Sequence, residues 1–241
     1  SAFPMAIGTS SCECSTVPTS RYYYLVRQLL TDMRLTFVFS LVTLFIATSC
    51  SPKLSTGNSA ADQFDTDQRS LITSAAADEP MRVFKITNRE DSILLRTASE
   101  RVQINPNDRT LQLFIDRLLT TVQDSMSLGV GIAAPQVGIL KNIIWVQRFD
   151  KADLPWEVFI NPVIVQYSDL TRKGMEGCLS IPDRREECQR SYAILIEYDR
   201  PDGSHHTEMV EDFTAVIFQH EIDHLNGILY LDHLASDLAE D

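Results

Sequence analysis

The run Gln219-His220-Glu221-Ile222-Asp223-His224 near the C-terminus carries the residue types of metal-assisted hydrolysis. In a helix of roughly 3.6 residues per turn, His220 and His224 fall one above the other, with Cβ atoms about 5–6 Å apart. Two imidazoles on one face at that distance can grip one cation. Glu221 is rotated by about 100° from His220, so it can reach a water beside the cation without being a ligand. The spacing alone also fits a buried helix whose two histidines are merely hydrogen-bonded.

An open catalytic metal site needs three protein ligands. In one class of zinc peptidases the helix continues as HExxHxxGxxH. Here Gly227 is in register, but Tyr230 occupies the place of the third histidine and His233 comes three residues too late. Another class takes a glutamate from a helix well downstream, and only 17 residues follow His224. Both templates therefore lack their third ligand. Upstream, Met175-Glu176-Gly177-Cys178-Leu179-Ser180-Ile181-Pro182 offers Cys178, whose thiolate suits zinc or ferrous iron. A cysteine in such a stretch also serves as a small buried hydrophobe. A third segment, Gly129 to Gly138, holds three glycines and two alanines in ten residues, so backbone can approach a ligand closely. Gln136 is its one polar side chain, and its amide can donate to a developing oxyanion. The segment lacks the lysine of a phosphate loop, and GxGxxA alone is a weak dinucleotide signal.

Taken in order, Gly129–Gln136, Glu176–Ser180 and Gln219–His224 resemble the GxGxAAxQ, EGCLS and QHExDH motifs of the peptide deformylase family. The resemblance covers roughly Met81 to Leu234. It implies Cys178, His220 and His224 as the metal ligands, Glu221 as the general acid/base, and Gln136 with the backbone N–H of Leu179 as the oxyanion hole. Gly131 and Gly177 match positions that flank the substrate. Val130 and Val216 match the lining of the methionine pocket, and Arg185 matches a basic position near the substrate. The implied reaction is hydrolysis of the formyl group from a formyl-methionyl peptide or nascent-chain N-terminus, releasing formate. The implied cofactor is one divalent ion, Fe2+ first, with Zn2+, Ni2+ and Co2+ also suited to a Cys/His/His set; the sequence does not choose among them.

These residues need elements to hold them. Asp212-Phe213-Thr214-Ala215-Val216-Ile217 leads into the histidine run with Asp212 as expected N-cap. Phe213, Val216, Ile217, His220 and His224 define one face, and Asn226-Gly227 is a helix stop. Arg109–Leu128 reads as a second helix, with Leu111, Phe114, Ile115, Leu118, Val122 and Met126 on one side and Asn107 or Asp108 as cap. Strands are expected at Asn142–Gln147, Val158–Tyr167, Met175–Ser180, Ala193–Tyr198 and His206–Val210, the last two joined at Asp202-Gly203. With the resemblance, this gives an α+β fold of antiparallel sheets around a central metal-binding helix.

The chain has 241 residues and a net charge of −12. Residues 1–60 carry four basic and two acidic side chains, which leaves −14 on the remainder. So acidic a body, without a basic aromatic stripe, argues against nucleic acid as a partner. The five cysteines, Cys12, Cys14, Cys50, Cys178 and Cys188, do not form a disulfide framework pattern. The expected organisation is an upstream extension over 1–32, a signal-peptide-like or lipoprotein leader over 33–50, a polar linker over 51–80, and the catalytic domain over 81–241. The leader rests on a basic start at Met33-Arg34, a charge-free apolar run of about thirteen residues, and Ala47-Thr48-Ser49-Cys50. Cys50 would be the lipidated residue of a membrane-anchored bacterial lipoprotein. The family resemblance instead suggests a cytoplasmic enzyme, with the short apolar run a helix of another kind. Two rival functions stand beside deformylation: a metallopeptidase of another class, and a catalytically silent binding lipoprotein on the same scaffold.

Overall fold

A computed structural model of the chain describes residues 63–124 and 129–234. The extension, the leader with Cys50, residues 51–62 of the expected linker, and Met126 lie outside the described residues. Within them, three helices precede the sheet: the short α1 (Thr66–Ile72) and α2 (Arg89–Leu95), and the longer α3 (Arg109–Gln123). Then come β1 (Gly131–Ala133), a 3-10 turn (Ala134–Val137), β2 (Ile143–Gln147), β3 (Trp156–Tyr167), β4 (Thr171–Cys178), β5 (Ile181–Ser191), β6 (Ala193–Asp199), β7 (His205–Glu211) and α4 (Asp212–Leu225). A five-stranded antiparallel sheet runs β1-β2-β3-β6-β7, and β4-β5 form a separate hairpin.

Helix α4 is central because it is apolar on most of its circumference. Ala215, Ile217, Phe218, Ile222 and Leu225 pack on Ile144, Val146, Phe159, Ile194 and Ile196 of the sheet. Past the helix end, Leu229 and Tyr230 pack on Ile181 and Cys188 of the β4-β5 hairpin. The fold is α+β, as expected. The stop at Asn226-Gly227 is also as expected: Gly227 has φ +71, and a Cβ there would lie 2.5 Å from the Arg96 carbonyl oxygen. Only glycine fits that corner.

The start of α4 differs from expectation. Asp212 is the first helical residue, not the cap; Glu211 takes the N-cap position without a side-chain bond. The cause is that β7 runs into α4 with no loop between them. Asp212 makes the corner itself, with φ +55, its N–H donating to Tyr192 O and its carboxylate paired with Arg172. On α3 the cap is Asp108, whose Oδ1 accepts from the N–H groups of Thr110 and Leu111.

Residues 63–80 depart from the tether expected there. Phe64 and Ile72 are buried in the core formed with Leu111, Phe114 and Leu118 of α3, and Phe64 meets Phe114 edge-on at 6.2 Å. The buried Arg117 of α3 donates to the carbonyls of Leu71, Ile72 and Glu79, which sews this segment down. A polar composition concealed two buried anchors. Helix α2 and strands β1 and β5 were not foreseen either, and β5 is the longest of them. The β5 run Asp183–Glu187 is charged and solvated on both faces, so no apolar alternation marks it.

Candidate active site

Two elements converge on one point. Helix α4 presents His220 and His224 one turn apart, with ring centroids 5.1 Å from each other. The end of β4 brings Cys178 to them, its Sγ 3.2 Å from Nε2 of His224. One ligand atom from each of the three residues lies within 4.8 Å of the others. The rings are buried, and Glu221, next on the helix, is buried with them.

A second layer fixes how these groups point. Oε2 of Glu176 accepts from Nδ1 of His220 at 2.8 Å, which leaves Nε2 of that ring directed at the site. Arg190 of β5 grips Glu176 through two bonds, Nε to Oε1 at 2.8 Å and Nη2 to Oε2 at 3.1 Å. Its Nη1 reaches Asp223 at 2.6 Å, and Asp223 is bonded to His233 at 2.7 Å. Burial alone would raise the Glu176 carboxyl, but the His220 and Arg190 hydrogen bonds outweigh it and bring it to about 2. Burial likewise pushes the Cys178 thiol up, yet the charge and hydrogen bonds of His224 and His220 hold it well below its ordinary value. Tyr230 stacks on His220 at 5.9 Å and 24°.

Does this set fit a divalent cation? The donors are a thiolate and two imidazoles, the types that first-row divalent metals take. Their Sγ and nitrogen atoms already crowd one point, where a cation would displace shared protons. Nδ1 of His224 is buried and finds no hydrogen-bond partner among the described residues. The three residues fit the ion.

The cleft beside this point has a volume of ≈ 710 Å³. Of the residues the sequence singled out, Val130, Gly131, Gln136, Gly177, Cys178, Leu179, Arg185, Val216, His220 and Glu221 line it, while His224 sits behind them. Oε1 of Gln136 accepts from the Ala133 N–H at 2.9 Å, so its amide nitrogen faces Ser180 Oγ at 3.3 Å and Cys178 Sγ at 3.5 Å. Arg185 lies across the β4-β5 ladder from Gly177. Lining residues to which the sequence gave no site role include Lys85, Met175, Ile181, Arg184, Phe213 and Ile217. Phe213 had a signal, since it falls on the apolar face of α4. Arg190 had none: the β4-β5 register sets it opposite Arg172, and only its long side chain reaches back along the hairpin to Glu176.

Glu221 has Oε2 buried with no hydrogen-bond partner among the described residues. Burial pushes its carboxyl up to about 7, against the pull of His220 and His224. Its seat depends on Gly131: a Cβ there would stand 2.5 Å from Glu221 Oε1, 2.9 Å from its Cγ and 2.8 Å from Cγ2 of Ile217. Gly131→Ala would therefore push the Glu221 carboxylate aside and would also press on a methyl of the buried Ile217. We expect kcat to fall about tenfold, since misplacement by about 1 Å can cost up to about 10²-fold, together with a lower Tm because the Ile217 methyl must also give way. An alanine variant with unchanged kcat would show that Glu221 has no fixed seat.

The comparisons with known proteins agree with this geometry. The polypeptide deformylase family model matches residues 83–239. A peptide deformylase of Desulforudis audaxviator is 39% identical over 154 residues, 63% of this chain and 94% of its own. Among solved structures, a Met-Ala-Ser-bound class I type b peptide deformylase from Acinetobacter baumannii is 34% identical with TM-score 0.57, covering 65% of this chain and 99% of that one. The peptide deformylase of Thermotoga maritima is 32% identical with TM-score 0.57, covering 64% and 97%. Sequence, fold and the ordering of the three site segments thus lead to one assignment: the chain belongs to the polypeptide deformylase family.

Proposed function

We infer that the chain removes the formyl group from formyl-methionyl peptides, releasing formate and a free N-terminal amine, with Cys178, His220 and His224 holding one divalent ion. The family's reaction is metal-dependent; ferrous iron is our choice for the ion. The observation that carries the ligand assignment is the convergence of one sulfur and two imidazoles within 4.8 Å at the floor of a cleft lined by Glu221 and Gln136. The Acinetobacter enzyme bound to Met-Ala-Ser supports a methionyl peptide as the occupant of the cleft.

When bound, the cation supplies Lewis-acid polarisation and makes water a nucleophile near neutral pH. The protein supplies the rest. Val130 and Val216 form the apolar wall for the methionine side chain, and Arg185 stands ready for a peptide carbonyl. Water adds to the formyl carbon as its proton passes to the Glu221 carboxylate. Negative charge on the formyl oxygen is met by the Gln136 amide and the Leu179 N–H; one such donor is typically worth about 2.7–4 kcal/mol. The C–N bond then breaks as Glu221 returns the proton to the leaving nitrogen. A carboxyl near 7 suits both halves of that exchange.

Formate release from formyl-Met-Ala-Ser by anaerobically prepared, ferrous-loaded protein tests this reading, with Cys178→Ala as control. We expect release by the parent and neither release nor bound metal in the variant. Formate from the variant, or cleavage of an internal peptide bond by the parent, would sink it. The leader over residues 33–50 belongs to the same proposal as an anchor lipidated at Cys50; labelling with a radioactive fatty acid would reveal it, and an unlabelled Cys50 would remove it.

A further inference from the structure

We propose that Lys85 is a positioning residue for this reaction, setting the Cys178–Ser180 turn against Gln136. The inference rests on the deformylase reading, because it assigns the two oxyanion donors to those segments. Three successive residues tie the segments together. The Phe84 N–H donates to Gln136 O at 2.7 Å, and the Ile86 N–H donates to Ser180 O at 2.9 Å. Between them, Nζ of Lys85 donates to Leu179 O at 2.7 Å, and Lys85 itself lines the cleft. The brace is anchored from behind. The buried Asp91 of α2 accepts the Lys85 N–H at 2.9 Å and is gripped by Arg82 through two bonds of 2.7 and 2.9 Å.

The chemistry of a lysine fits the task. The Leu179 carbonyl belongs to the peptide whose N–H, that of Ser180, points at Cys178 Sγ at 3.4 Å. A charge-assisted bond on the carbonyl is stronger than a neutral one and polarises that peptide toward the sulfur. The turn has no helix to stiffen it, so a cation reaching in from another element must hold it. The two backbone bonds fix the ends of the junction, and the lysine fixes the residue that carries the second oxyanion donor.

The test compares Lys85→Met, which keeps the stem and removes the donor, with Lys85→Arg, which restores one. In formate release from formyl-Met-Ala-Ser we expect Lys85→Met to lower kcat about tenfold with KM within twofold, and Lys85→Arg to recover to within threefold of the parent. In metal-free protein, hydrogen exchange of the Leu179 and Ser180 amides should quicken about tenfold in Lys85→Met, with α4 amides unmoved. A kcat within twofold of the parent, a loss confined to KM, or unchanged exchange at both amides would overturn the proposal. Should the parent release no formate, the deformylase reading fails while the exchange result still decides whether Lys85 holds the turn.

Discussion

Glu221→Gln is expected to bind its cation as the parent does and to lose formate release by about 10²–10⁴-fold, the range that a positioned acid/base contributes. The side chain keeps its size, and the three ligand atoms are untouched. What disappears is the only group on the site face of α4 able to accept a proton from water and return it. The same substitution should stabilise the metal-free protein. A carboxyl raised from its ordinary value to about 7 binds its proton more tightly when folded. Its contribution to stability is therefore full below the unfolded pKa and is lost as pH rises through 7, amounting to an order of 3 kcal/mol at most. The glutamine variant has no such loss, so the two unfolding curves should coincide near pH 4 and separate by pH 8, with the variant the more stable. Activity lost while stability is gained marks a residue kept for function. A variant retaining more than roughly a tenth of parental kcat would remove Glu221 from the proton path.

The histidine pair, Glu221 and Cys178 were legible only together: each alone also fits a plainer buried role, and the order of the three motifs along the chain singled them out. The helix that carries two of them was legible because its apolar residues recur along a face. What escaped was whatever depends on partners far apart in sequence. Glu176 stood inside a quoted motif, yet its task follows only from His220 lying 44 residues on and Arg190 lying 14 on. Lys85 contacts Leu179 across 94 residues. No local pattern encodes either pairing. Phe64 and Ile72 were hidden differently: two apolar residues among many polar ones look like a tether until α3 is there to bury them. Asp212 was misread as a cap because capping chemistry and a strand-to-helix corner select the same residue type, and only the left-handed φ distinguishes them.

Arg190→Met should cost about 3–5 kcal/mol of stability, the usual penalty for removing one partner of a buried ion pair. The guanidinium is almost fully buried and is the shared partner of two carboxylates, Glu176 and Asp223. Methionine fills much of the volume but leaves Glu176 with His220 alone and Asp223 with His233. The pH dependence separates charge from packing. Glu176 is held near 2, below its unfolded value, so its contribution is present above about pH 4.5 and is lost as pH falls toward 2. Without Arg190 that carboxyl moves up and the acid-labile contribution shrinks. In metal-free protein, the gap in unfolding free energy between parent and Arg190→Met should therefore narrow from pH 7 to pH 3. Adding Glu176→Gln to the variant should recover much of the loss, because a neutral amide oxygen still accepts from His220 Nδ1 and the only charge left without Arg190 is Asp223, which keeps His233. A gap that stays constant with pH, together with no recovery in the double variant, would mean that Arg190 acts by filling space and that the orientation of His220 is secured elsewhere.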